Sequence, residues 1–102
     1  MEFFFKTKHL HGLYQTGRSR KYRLPKGVAE AFVERVNRIE AAVTINDLRV
    51  PPSMNFEKMH GYKNRFSIRI NKQYRLEFDM DFEDETRTKG EVLIVDVSKH
   101  YE

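Results

Sequence analysis

Arg69 and Arg75 are the residues whose type and spacing first point to chemistry. They sit in "FSIRINKQYRLEF" (66–78), where apolar and polar residues alternate on both sides of Asn71-Lys72-Gln73. Such alternation marks strands with one buried face. Directly opposed residues in an antiparallel pair share a face, so the apolar pattern sets the register. A two-residue turn at Lys72-Gln73 would oppose Ile70 to Arg75 and mix core with solvent. A three-residue loop, 71–73, opposes Ile70 to Tyr74, Ile68 to Leu76 and Phe66 to Phe78, and it sets Arg69 against Arg75 and Arg65 against Asp79. Like charges facing each other across a ladder cost up to about 1 kcal/mol. That cost is tolerable if the pair holds an anion, and the planar, permanently charged guanidinium fork suits phosphate. The plainer alternative is a solvated face with Glu77 as partial neutraliser.

The other groups able to move protons near neutral pH are histidines. His60 precedes a glycine just before the hairpin, and His100 lies near the carboxyl end. Strand alternation places Asp96, Ser98 and His100 on one face, with Lys99 and Tyr101 on the other. His9 and His11 are two apart and would not face each other on a helix. With no cysteine and no HExxH pattern, neither a metal site nor a cofactor is expected.

These residues need a scaffold, and 102 residues suffice for one domain with one modest core. No apolar run approaches the roughly 20 residues that cross a bilayer, so no membrane partner is expected. The start "MEFFFKTKHLHG" lacks the apolar stretch of a secretory signal, and the cytoplasm is the expected compartment. Net charge is +4, but five of the 15 acidic residues crowd into 79–85, leaving 19 bases against 10 acids elsewhere. A basic body with one acidic excursion is the footprint of a polyanion binder, most often nucleic acid. The acidic stretch itself reads as a solvated hairpin tip.

"EFFFK" (2–6) reads as a first strand, with one of its phenylalanines facing outward. "KHLHGLYQTG" (8–17) reads as a helix stopping at Gly17, followed by the basic linker "RSRKYR" (18–23). A second helix over 27–44 carries the stripe Val28, Phe32, Val36, Ile39 and Val43, with Glu34 and Arg38 an i,i+4 pair outside it. "NDLRVPPS" is a connector, because its prolines fit neither helix nor ladder. Strands follow at about 54–60, 65–71 and 74–82, and "VLIVDV" (92–97) reads as an inner strand. The order β-α-α-β-β-β-β predicts an α+β fold, two N-terminal helices packed on a mostly antiparallel sheet of four to five strands.

Four stretches then carry a resemblance: "LP…VAEAFVERVNRIEAA", "DLRVPPSMNFEKMHG", "FSIRINKQYRLEF" and "VLIVDVSKHY". Together they resemble the HigB branch of the RelE/ParE toxin superfamily, and they imply one toxin domain over 1–102 with a RelE-like fold. The resemblance implies a ribosome-dependent, metal-independent endoribonuclease that cleaves messenger RNA. It implies a HigA-type helix-turn-helix antitoxin as partner, with operator DNA reached only through that antitoxin. Arg75 matches the arginine after an aromatic residue in the family's strand, and Arg69 and Arg75 take the charge-stabilising role. His60 becomes a candidate proton donor or phosphate contact. His100 becomes the candidate general acid or base, with Tyr101 the alternative, since relatives ending "DYH" space histidine differently from aspartate. Arg18, Arg20, Lys21, Arg23, Lys58, Lys63 and Arg65 become candidate RNA or ribosome contacts. Two other functions share the fold: a ParE-like toxin that poisons DNA gyrase without chemistry of its own, and an inactive toxin-derived binding protein.

Overall fold

A computed structural model describes residues 1–99; His100, Tyr101 and Glu102 lie outside the described residues. In chain order the elements are β1 (Phe3–Phe5), α1 (Lys8–Thr16), α2 (Lys26–Ala41), β2 (Glu57–Lys58), β3 (Arg65–Arg69), β4 (Tyr74–Phe82) and β5 (Gly90–Lys99). Two short 3-10 turns, Ile45–Arg49 and Pro52–Met54, fill the connector between α2 and β2. The sheet order is β1-β5-β4-β3-β2. Only β1 runs parallel to its neighbour, β5; the remaining pairs are antiparallel. The α+β architecture and the placing of both helices before the main strands match the sequence expectation.

Local chemistry sets the ends of each helix. Thr7 caps α1 by accepting a hydrogen bond from the Leu10 amide, and Gly17 closes it at φ +73, a left-handed conformation that glycine adopts without steric cost. Helix α2 stops at Ala41 rather than Thr44, because Ala42 is already extended. Just beyond, the Asp47 carboxylate accepts from the Val43 and Thr44 amides at 2.8 and 3.1 Å and turns the backbone into the first 3-10 turn. Val43 therefore leaves the apolar stripe and stands 69% exposed, a correction to the expected core. Val28, Phe32, Val36 and Ile39 do form the buried face, joined by Ala29.

That face packs on alternate residues of the sheet: Phe66 and Ile68 from β3, Leu76, Phe78 and Met80 from β4, Val92, Ile94 and Val97 from β5. Inner strand β5 extends past the expected 92–97 to Gly90 and Lys99, whereas the strand expected at 54–60 is only two residues long. Phe4 is the outward member of its triplet, at 51% exposure.

At the far end of the β4–β5 hairpin, Gly90 lies directly opposite Phe82. A Cβ there would stand 2.8 Å from the Asp81 carbonyl carbon and 2.9 Å from the Phe82 Cα, both backbone atoms that cannot swing away. Gly90→Ala is expected to destabilise the fold by about 3 kcal/mol, at the upper end of overpacking costs. Urea denaturation of the variant beside the parent chain measures it.

Candidate functional site

The register of β3 on β4 is the one the apolar pattern demands: Phe66 opposes Phe78, Ile68 opposes Leu76, and Arg69 opposes Arg75. On the face away from the helices, three cross-strand rows result. Arg69, Arg75 and Ser98 form the first, Ser67, Glu77 and Asp96 the second, and Arg65, Asp79, Leu93 and Phe4 the third. Asp96 and Ser98 reach this face only because β5 carries a bulge. Glu77 opposes Asp96 while Phe78 opposes Ile94, so Val95 is an extra residue. Without it, Asp96 would point to the helix side together with Val92 and Ile94. A trace of this exists in the sequence, since the core residues Ile94 and Val97 fall on opposite parities.

This face is no plain solvent surface, for Ser67, Arg75 and Glu77 are all buried. Arg75, at 9% exposure, donates from Nη1 to Glu57 Oε2 at 2.8 Å and to Ser67 Oγ at 3.2 Å. The carboxylate paired with Arg75 is thus Glu57, delivered by the edge strand β2, whereas the plainer alternative in the sequence offers Glu77 as partial neutraliser. Glu57 is half exposed, so water reaches the ion pair from one side.

The backbone at Arg69 is held by a residue the sequence reading passed over. Arg35 of α2 donates from Nε to the Arg69 carbonyl at 2.8 Å and from Nη2 to the Ile70 carbonyl at 3.4 Å. Glu34 steadies it, bonding both Arg35 and Arg38. Partial burial of Glu34 works to raise its pKa, but hydrogen bonds from Arg38 and Arg35 prevail and hold the carboxyl below its ordinary value. The only hint in the sequence was an arginine beside the core position Val36.

The basic linker is pinned to the same face. Ser19 Oγ accepts from the Lys21 and Tyr22 amides at 3.2 and 3.1 Å, folding the segment into a turn. The Tyr22 ring joins the core, and its hydroxyl donates to Asp96 Oδ1 at 2.7 Å. Burial, then Asp96, then Glu77, raise the Tyr22 pKa well above its ordinary value, since each disfavours a phenolate. Arg18, Arg20, Lys21 and Arg23 remain exposed around this anchor.

Arg65 is engaged with Asp79 through Nε at 2.7 Å and Nη2 at 3.1 Å. That pairing raises the guanidinium pKa against the effect of partial burial. Lys58 stands exposed on β2, and His60 and Lys63 stand exposed in the loop between β2 and β3, at the sheet edge remote from the linker. His100 and Tyr101 fall outside the described residues; the described part of β5 ends at Lys99, opposite Tyr74. Among the described residues there is no cluster of three or more His, Asp or Glu side chains that could hold a metal ion, and no helix is long and apolar enough to cross a membrane. The arrangement sets two arginines opposite each other on a partly desolvated sheet face, the Arg75 guanidinium held by Glu57 and Ser67, with further cations on both flanks. Such a face can stabilise added negative charge on a phosphate.

Comparison with known proteins gives concordant results. A model of the RelE-like toxin of the type II toxin–antitoxin system HigB matches residues 3–93. The toxin HigB-1 of Vibrio cholerae serotype O1 is 40% identical over 76 residues, covering 72% of this chain and 78% of the relative. An uncharacterized protein of Haemophilus influenzae is 35% identical over 75 residues, covering 72% and 73%.

The Tyr22–Asp96 bond yields a test of the linker anchor. Tyr22→Phe is expected to lower stability at neutral pH by about 1.5–3 kcal/mol, the range for a hydrogen bond to a charged acceptor. A group whose pKa is raised by folding stabilises fully below its unfolded value and loses that contribution as pH rises through the folded one. The gap between parent and variant should therefore narrow above about pH 10, the unfolded tyrosine value. Denaturation curves at pH 7 and pH 11 provide the check.

Proposed function

The chain belongs to the RelE-like HigB toxins of type II toxin–antitoxin systems, and on that premise we propose that it is a ribosome-dependent endoribonuclease acting on messenger RNA. Membership implies an antitoxin partner; we take that partner to be a HigA-type helix-turn-helix protein, through which alone the toxin would meet operator DNA. The work would take place in the cytoplasm, where ribosomes are.

RNA supplies its own nucleophile, the 2′-hydroxyl beside the scissile phosphate. Cleavage needs that hydroxyl oriented and deprotonated, the extra phosphate charge stabilised and the leaving 5′-oxygen protonated. Neither a metal nor a cofactor has a necessary part in those steps. The observation that carries the proposal is the Arg69–Arg75 juxtaposition, backed by Ser67 and Ser98 and neutralised from the edge by a half-exposed Glu57. An arriving phosphate takes the place of Glu57 on Arg75, exchanging one anion for another, while Glu57 turns to water. Arg69 adds the second positive charge. His100 serves as general acid or base, Tyr101 is the alternative, and His60 is a phosphate contact or proton donor. The exposed Arg18, Arg20, Lys21, Arg23, Lys58 and Lys63 attract the RNA backbone on either flank, and Arg65, held in place by Asp79, is a further contact at the same edge.

Arg75→Ala and His100→Ala are each expected to lower message cleavage on programmed ribosomes by about 100-fold or more, the usual effect of losing a charge stabiliser or a general acid–base group. Both should relieve growth arrest when the toxin is expressed without its antitoxin. Growth arrest that persists in the double variant with messages intact would overturn the nuclease and leave a poison acting by contact alone, as in the gyrase-binding reading.

A further inference from the structure

Tyr62 occupies the loop between β2 and β3, directly after Gly61, whose φ of +84 reverses the chain. The residue is 48% exposed. The Arg65 guanidinium carbon lies 4.1 Å from its ring centroid, the tightest of the cation–ring approaches among the described residues. That guanidinium is itself immobilised by two hydrogen bonds to Asp79. A ring with about half of its surface exposed is thus backed on one side by a fixed, charge-matched plane.

Resting on the RNA-cleaving reading above, we infer that Tyr62 is a stacking platform for one nucleobase of single-stranded RNA lying along the polar face of the sheet. Aromatic rings interleaved with cations are the pattern by which proteins hold single strands, because every base has a π-face and every nucleotide a phosphate. The cations are present in the same segment: Lys58 and Lys63 are exposed on β2 and in the loop that carries Tyr62. Placement agrees as well. Arg65 shares the polar face of β3 with Arg69, four residues along, or about 13 Å at the usual strand rise of roughly 3.3 Å per residue. The base held would therefore flank the phosphate at Arg69 and Arg75 rather than belong to it. Asp79 has a defined part in this arrangement. By matching the charge of Arg65 it makes that residue a rigid backing for the ring in preference to a competing phosphate ligand. Stacking tolerates any base, so the platform would fix the path of the message without reading its sequence.

The test uses the full chain with ribosomes programmed by a short message in which an abasic nucleotide is walked across the positions flanking the cut. At one flanking position the abasic change is expected to slow cleavage about tenfold, and Tyr62→Leu on the intact message should do the same, the scale of losing one base–aromatic stack. Combining the two should cost no more than either alone, because both remove one interaction. Tyr62→Phe and Tyr62→Trp should retain the parent rate. In the same series 2-aminopurine at the sensitive position should be quenched by the parent and not by Tyr62→Leu. Should Tyr62→Leu unfold, the abasic and 2-aminopurine arms on the parent chain still decide. Cleavage indifferent to every flanking base, or losses that multiply in the combination, overturns the platform and leaves the nuclease standing. A parent chain that leaves ribosome-bound message intact overturns both.

Discussion

The rest of the molecule depends on the register of β3 against β4. Phe66, Ile68, Leu76 and Phe78 can all reach the helices only in an alignment of this parity, since a slip of a single residue would turn one strand's pair to the other side. Burying each is worth about 1.5–3 kcal/mol, while the repulsion of one opposed arginine pair is at most about 1 kcal/mol. Apolar burial therefore wins, and Arg69 meets Arg75 as a consequence. The turn agrees with this choice: Asn71 Oδ1 accepts from both the Gln73 and Tyr74 amides at 2.8 Å, closing a loop of the required length.

Two cations forced together on a partly buried face need compensation, which β2 and β3 supply, and a backbone tether, which comes from α2. Strand β2, only two residues long, brings Glu57 to Arg75. Ser67 offers a neutral oxygen from β3. Helix α2 extends Arg35 to the carbonyls at the end of β3, tying the hairpin to the helical layer that covers its other face. Along the next row the signs reverse. Glu77 opposes Asp96, and the Tyr22 hydroxyl answers Asp96 with a donor that carries no charge. One hydrogen bond thereby joins the interior of the sheet to a linker bearing four exposed cations.

The acidic stretch 79–85 has a structural part that its composition does not convey. Asp79 is spent on Arg65, and Asp84 organises the turn before β5. Its carboxylate receives the Thr86 and Thr88 hydroxyls and the Thr88 and Lys89 amides, which hold its pKa well below the ordinary carboxylate range. Most of these acids sit at the end of the sheet away from Arg69 and Arg75, since β4 runs from Tyr74 toward Phe82. The arginine end is thus spared most of this acidic stretch.

Much of this was legible from the residues alone, where the information is local. Period-two alternation determined the hairpin register, Gly17 the end of α1, and the spacing of Val28, Phe32, Val36 and Ile39 the buried face of α2. The same local rule overran at Val43, because the Asp47 carboxylate, four residues on, draws the backbone out of the helix. What the sequence left open were the partners of charged groups. That Arg75 would bind Glu57, that Arg35 would hold the end of β3, and that a bulge at Val95 would carry Asp96 to Tyr22 are contacts between residues 18 to 74 positions apart. Alternation fixes which side of a strand a residue faces only as long as no bulge interrupts it. Only the packed sheet decides which of several carboxylates, equivalent in composition, arrives within about 3 Å of a given guanidinium, the distance at which a hydrogen bond forms.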